Sequence, residues 1–302
     1  MAAFTGGPAD IMGAGLCTIR FCRAVLKADG TLAQPVMSWM DERVSVPYVH
    51  TAPDAAYVTT SSGYLGHRMT GNFRDAAANC AGLWPLDPDT WQWTDDDAEL
   101  ARSGIPRSML FDLVLPGDTL GQVTEAAAAH TGIPVGIPVI ATANDKAVEA
   151  LGCGLRTPDT LLVSLGTYVA GMATGPRNIK HATDFWTNYA STPHSYLYES
   201  HGVRRGMWTV SWYRDLLGEE GVVQARAAGL SVEDYSPARP ASARRSARRR
   251  ARCVPDFDQA VQSMVRPGRV FLPSRAHHSL YRRLEEVYRD VRSHTDAIYR
   301  RT

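Results

Sequence analysis

The sequence predicts an α/β fold in more than one domain, and three stretches carry that prediction. In "IPVIATANDKAVEALGCG", residues 137–154, a short apolar run from Ile137 to Ala143 has the length of a strand. Ala147, Val148 and Leu151 then recur at helical spacing until Gly152 and Gly154 interrupt the pattern. Upstream, "LGQVTEAAAAHTGIP" reads as a helix leading into that strand, with Thr124 as N-cap, Gly132 as its end and Pro134 barring continuation. Downstream, "DTLLVSLGTYVAGMAT", residues 159–174, reads as strand, tight turn at Leu165-Gly166, strand. A chain of 302 residues, 44% hydrophobic and 21% charged, is long enough to bury two cores.

The remaining elements follow in order. "GLCTIRFCRAVLKADGTLAQPVMSWMDERV" predicts strands around 15–21 and 23–27, a turn at Asp29-Gly30 and a third strand near 35–39. In "WTDDDAEL", residues 93–100, the carboxylates read as first-turn acids behind a Thr94 N-cap rather than as a metal cluster. "GMWTVSWYRDLLGEE" sets Trp208, Trp212 and Leu216 four residues apart, with Tyr213 and Leu217 beside them, which predicts an amphipathic helix ending at Gly218. In the last segment Leu280, Leu284, Val287, Tyr288, Val291 and Ile298 share one helical face, the pattern of a surface helix with a buried stripe.

Charge is unevenly placed. The segment "ARPASARRSARRRAR", residues 238–252, holds seven arginines and no acid, so that with a net charge of +1 overall the rest of the chain carries −6. Only Ala, Ser and Pro separate the charges, which leaves too little apolar surface to fold and predicts a disordered linker. No aromatic is interleaved to stack on bases, so a nucleic-acid partner is not expected. Five cysteines, at 17, 22, 80, 153 and 253, form no CxxC pair and suit reduced thiols. No apolar stretch reaches membrane-spanning length and the start lacks a signal pattern, so the expected location is the cytoplasm. His277-His278 lacks a third ligand nearby and reads as surface polar, and no metal site is assigned.

Walker A, GxGxxG, HExxH and GxSxG motifs are all missing, which leaves one acid in an informative place. Asp145 stands where the strand of residues 137–143 ends and the next helix begins, behind the N-cap candidate Asn144. One reading is structural, a first-turn carboxylate favoured by the helix dipole. The other is functional, because the carboxyl ends of strands in α/β folds face the crevice where ligands bind.

The blocks "LKADGTLAQPVMSWMDERV", "GYLGHRMTGNFRDAAANCAGLWPLD", "LPGDTLGQVTEAAAAHTGIPVGIPVIATANDKAVEALGCGL" and "LLVSLGTYVAG" stand in an order that resembles the FGGY carbohydrate kinases, the sugar and polyol kinases that include xylulokinase, gluconokinase and glycerol kinase. The resemblance covers about residues 10–217 and resumes weakly at "FLPSRAHHSLYRRLEEVY". It implies an actin-like ATPase fold of the ribonuclease H type in two domains. Residues 1–157 would form the N-terminal, sugar-binding domain, 158–230 part of the C-terminal domain, 231–255 the arginine-rich linker and 256–302 a helical end. It also implies ATP and Mg²⁺ as cofactors, a small sugar or polyol as substrate, and room for a homodimer. Asp145 matches the family's catalytic base, and Ser164, Gly166 and Thr167 of "SLGT" match its second phosphate loop. Arg20 of "LCTIRF", with Trp39 and Asp41 of "WMDER", matches substrate-touching positions. The alternative for the last block is a core Trp39 and an Arg43 paired with Asp41 or Glu42.

The sequence also departs from the family. No D-x-G-T loop is present before residue 10, only residues 44–63 stand where a long helix with a Lys-x-x-Trp signature is expected, and the glycine-rich adenine segment is replaced by the arginine run. These departures imply weak ATP binding and a rival description, an impaired kinase remnant that acts as a sugar-binding or interaction protein. Deleting residues 238–252 is expected to leave the melting temperature of the body unchanged, because solvated arginines pack against little. A large drop would make the run part of the fold, and a steep salt dependence of DNA affinity that vanishes in the deletion would make it a nucleic-acid site.

Overall fold

The computed structural model describes residue 7, residues 10–165, 168–202 and 206–229, and positions 282, 283, 286 and 287. The arginine run and His277-His278 lie outside the described residues. The chain divides into two compact units, Met1–Arg252 and Cys253–Thr302. In the second unit the described positions are helical, and Val287 of the expected stripe is exposed, while the stripe's other members lie outside the described residues.

Within the first unit, strands and helices alternate as the sequence predicts. The strands are β1 (Ala14–Leu16), β2 (Ala24–Leu26), β3 (Tyr57–Thr59), β4 (Arg74–Ala76), β5 (Asp112–Val114), β6 (Thr119–Gln122), β7 (Pro138–Ala141), β8 (Leu162–Leu165), β9 (Val169–Gly175), β10 (Phe185–Tyr189) and β11 (Tyr196–Ser200). The helices are α1 (Ser61–Thr70), α2 (Asp97–Ser103), α3 (Glu125–Thr131), α4 (Asp145–Gly152) and α5 (Gly206–Ala227). β1 and β7 pair in parallel, with β6 antiparallel on the far side of β7. β8 to β11 form an antiparallel sheet in the order β10-β11-β9-β8.

Local chemistry sets the element ends. Thr124 accepts from the Ala127 amide to start α3, and Gly132, at φ 72°, closes it in the left-handed region that glycine tolerates. α2 differs from expectation: its N-cap is Asp96, which accepts from the Ala98 amide, while the Thr94 hydroxyl accepts from the Asp96 amide one step earlier. The strand expected at 15–21 stops at Leu16, and the one near 35–39 reduces to a single bridge, Arg23 with Met37. The reason is Arg23, which is buried and donates to the carbonyls of Arg43, Val44 and Val46, drawing residues 38–46 into a turn instead of a ladder.

α5 is two helical pieces, and the first ends at Gly218 as expected, where a φ of 66° and ψ of −176° break the helix. What departs from expectation is the environment of its apolar face. Its aromatic stripe faces out, with Trp208, Trp212 and Leu216 each more than half exposed. On β8, Val163 and Leu165 are exposed as well, as is Leu161 just before it, in the alternation expected of one strand face.

The principal core joins Val25, Trp84, Trp91 and Trp93 to Ala143, Ala147 and Ala150 of the α4 region and to Met172, Tyr189, Tyr196 and Leu197 of the antiparallel sheet. The core thus crosses the expected boundary at residue 157. One ion pair spans the same divide. Arg20 Nη2 lies 2.8 Å from Glu199 Oε2 on β11, and both side chains are largely withdrawn from water. Asn188 Nδ2 of β10 donates to the same carboxylate oxygen at 3.1 Å.

A second buried acid anchors α1. Asp75 on β4 accepts from the Thr59, Thr60 and Ser62 hydroxyls and from the Thr60 amide. Burial nevertheless pushes its carboxyl above the usual carboxylate range, so desolvation outweighs four hydrogen bonds. Gly63 lets the first turn of α1 approach this cluster, since a Cβ there would stand 2.6 Å from Asp75 Oδ2. Gly63→Ala should therefore cost about 1–3 kcal/mol in chemical denaturation, against near neutrality for a typical exposed glycine. Glu199→Ala strands Arg20 in a dry site and should cost about 3–5 kcal/mol, readable as a lower denaturation midpoint.

Candidate active site

β1 and β7 are parallel neighbours, and their carboxyl ends open on the same side. Such ends form the ligand crevice of open α/β sheets. The turn 17–21 follows β1, and α4 follows β7. The two are laced together: the Thr142 hydroxyl donates to the Leu16 carbonyl at 2.6 Å and the Asp145 amide to the Thr18 carbonyl at 3.1 Å. From α1, the Ser61 hydroxyl donates to Thr18 Oγ1 at 3.0 Å.

The N-cap of α4 is Asn144, as its sequence predicts. It is fully buried, its Oδ1 accepts from the Ala147 amide at 3.2 Å, and its Nδ2 donates to the Ala78 carbonyl. Asp145 therefore begins the helix without having to cap it, and its Oδ1 is buried with no hydrogen-bond partner. Arg20, on the turn to which Asp145 is bonded, has a matching vacancy: Nη2 holds Glu199, while Nη1 is buried without a partner. An acceptor and a donor thus stand unsatisfied on one short turn and the helix start attached to it. Buried polar atoms are normally paired, so such vacancies mark places for a ligand's polar groups.

The other expected residues stand apart from this pair. Trp39 is 49% exposed, which rules out the core alternative. Asp41 starts a 3₁₀ turn by accepting from the Arg43 amide, and the Arg43 guanidinium grips both its oxygens, at 2.9 and 2.6 Å, holding its carboxyl near a pKa of about 2. Arg23 fixes this turn to the strand that follows Phe21. Ser164 is half-buried on β8, opposite Ala170, and the hairpin closes at the pair Leu165 and Val169. Gly166 and Thr167 lie outside the described residues. Among the described residues no group of three His, Cys, Asp or Glu side chains gathers to hold a metal, and no helix is long and apolar enough to cross a membrane.

Glu199, Asn188, Arg23 and Phe21 were not singled out from the sequence. For Glu199 a signal existed: a lone acid in the strand "YLYES", directly after Tyr196, Leu197 and Tyr198, asks for a buried partner. Phe21 shows only in three dimensions. Its φ of 66° lies in the left-handed region, unusual for a bulky residue, and its ring lies 5.3 Å from the Arg20 guanidinium carbon.

Comparison with known proteins bears out the fold. Residues 28–152 match the FGGY family of carbohydrate kinases, N-terminal domain. Over 234 residues the chain is 52% identical to a protein described as uncharacterized sugar kinase YgcE of Escherichia coli strain K12, a stretch covering 78% of this chain and 48% of that protein. It is 29% identical over 213 residues to the autoinducer-2 kinase of Photorhabdus laumondii, covering 68% of this chain and 37% of that one. The chain thus spans about half the length, or less, of these curated relatives. Among solved structures, xylulose kinase from Rhodospirillum rubrum superposes with a TM-score of 0.61 at 19% identity, over 74% of this chain and 54% of the other. Glycerol kinase of Plasmodium falciparum, solved with ADP, gives 0.56 at 16% identity. The shared fold is the actin-like ATPase fold of these kinases, here with part of the second domain. Residues 28–152 are thus an N-terminal domain of the FGGY carbohydrate kinase type.

Proposed function

We propose that this chain phosphorylates a hydroxyl of a sugar or polyol at the expense of ATP, with Asp145 as the general base. The observation that carries the reading is the partnerless, buried Asp145 Oδ1 at the carboxyl ends of two parallel strands. The acceptor hydroxyl donates to Oδ1, and the carboxylate takes its proton as the oxygen bonds to phosphorus. A second hydroxyl accepts from Arg20 Nη1, which fixes the sugar's orientation. Trp39 offers an exposed ring to the C–H face of the sugar, and Asp41 holds the turn that carries it.

ATP supplies the γ-phosphoryl group, and ADP departs with the electron pair of the broken bond. The donor set fits such a group: the hairpin closed by Leu165 and Val169 carries Ser164, with Gly166 and Thr167 next in sequence, a combination suited to phosphate oxygens. Mg²⁺ would come with the phosphates, as it commonly does. Residues 1–157 and 158–230 are the two domains that would meet at this site.

A second reading is a sugar-binding or interaction protein without turnover. The exposed apolar residues of α5 and β8 favour it, because they offer a surface to a partner.

Asp145→Asn distinguishes these readings. An amide keeps the size and the hydrogen bonding but cannot accept the proton, so sugar-dependent ADP formation should fall about 100- to 10,000-fold. A carboxylate serving only the helix dipole would instead cost roughly 0.3–1 kcal/mol of stability and leave turnover intact. Weak or absent Mg-ATP binding together with no phosphoryl transfer across a sugar panel would favour the interaction protein, and tight Mg-ATP binding would count against it.

A further inference from the structure

Arg23 carries a positive charge into the interior with no acid to meet it. The residue is 6% exposed, and its guanidinium donates to the carbonyls of Arg43, Val44 and Val46, which are dipoles and not charges. Among the described residues no carboxylate forms an ion pair with it, whereas Arg20 has Glu199 and Arg43 has Asp41. The titratable group that acts on it is the Tyr48 phenol, which burial holds above its usual range and so leaves neutral. Buried cations are ordinarily paired with a negative charge, because desolvation without one is costly.

A small space adjoins this charge. Arg23 is one wall of a cavity of about 20 Å³, whose other walls are apolar side chains and the turn that holds Ala81, Leu83 and Trp84. Room of that order admits one guest the size of a water or a halide and excludes a phosphate or a sugar.

The turn supplies donors of the right kind. Among the described residues the amides of Ala81, Leu83 and Trp84 make no hydrogen bond, although Ala81 and Trp84 are buried. Gly82 stands between them at φ 80°, a left-handed step of the kind that gathers successive amides into an anion-binding concavity. A buried guanidinium without a counter-charge and a turn with unused amides therefore border the same space.

We propose that this cavity is a binding site for a monatomic anion, with chloride as its ordinary occupant, held between the Arg23 guanidinium and the turn of Ala81, Leu83 and Trp84. A water would fill the space but leave the charge uncompensated. The anion steadies Arg23 in its bonds to residues 43–46, and through them the turn that carries Trp39 and Asp41. The site takes no part in phosphoryl transfer and does not depend on that reading.

Thermal denaturation of the full chain tests it, with sodium methanesulfonate replaced stepwise by sodium chloride or sodium bromide at constant ionic strength. Above the dissociation constant, the melting midpoint should rise by roughly 2–5 °C for each tenfold increase in halide, and Arg23→Met should lose that rise. A midpoint indifferent to halide overturns the proposal, and so does an equal rise in Arg23→Met, which would be a general salt effect. Because Arg23→Met also removes the bonds to residues 43–46 and can fail to fold, crystals of the unaltered chain grown in sodium bromide give an independent reading. An anomalous scattering peak between Arg23 and Ala81 is expected there, and a cavity that holds only a water, or nothing, overturns the site.

Discussion

The ion pair between Arg20 and Glu199 is the constraint on which the rest of the site depends. It joins the turn after β1 to β11, two parts of the chain almost 180 residues apart in sequence. A buried pair of this kind is a poor source of stability, because desolvation of two charges offsets most of their attraction. Its value is geometric. Glu199 has a second donor in Asn188, so the carboxylate does not turn, and Arg20 is held by one nitrogen while the other stays free. A lysine in the same place could reach Glu199, but it lacks the planar fork that lets one end be tied while the other points elsewhere.

Around that pair the backbone does most of the positioning. The Leu16 carbonyl at the end of β1 and the Thr18 carbonyl just beyond it accept from the Thr142 hydroxyl and the Asp145 amide that follow β7, and Ser61 adds a bond from α1. α1 is in turn pinned by the hydroxyl cluster around Asp75, which burial leaves reluctant to ionise. The turn at 17–21 is thus held from three elements, β7 with α4, α1 and β11, although it has no regular structure of its own. Such a support lets Phe21 keep a left-handed backbone that a free turn would relax.

Much of the fold was legible because its signals are local. Thr124, Gly132 and Asn144 announce their caps within four residues, and the β8–β9 hairpin shows in its apolar runs. The misreadings share a different cause. Residues 35–39 are mostly apolar, as a strand could be, but the buried guanidinium of Arg23 competes for the neighbouring carbonyls, and nothing in the local pattern shows that Arg23 is buried. The α5 stripe obeys helical periodicity, yet periodicity fixes only which residues share a face and not what lies against it. Of the candidate residues, Arg20 and Asp145 could be picked out in one dimension, Arg20 through the family resemblance. Glu199 and Asn188 could not be assigned to them, because their role exists only once two distant strands meet.

The division of work between Asn144 and Asp145 bears on why a carboxylate stands here at all. A helix start needs one side chain to take up a free amide, and either residue type can serve. Asn144 does this, and its other amide group is spent on Ala78. Asp145 is then left with no structural bond through Oδ1, in a place where burying an oxygen without a partner carries a cost. A residue chosen for stability alone would have been satisfied or replaced by an apolar one. The cost is recovered only when a donor arrives, and the donor must be small enough to enter between the turn and the helix and must come with something for Arg20 Nη1 to bond. A ligand with neighbouring hydroxyls meets both conditions, donating through one and accepting through the other, whereas a carboxylate or phosphate would satisfy Arg20 and be repelled by Asp145.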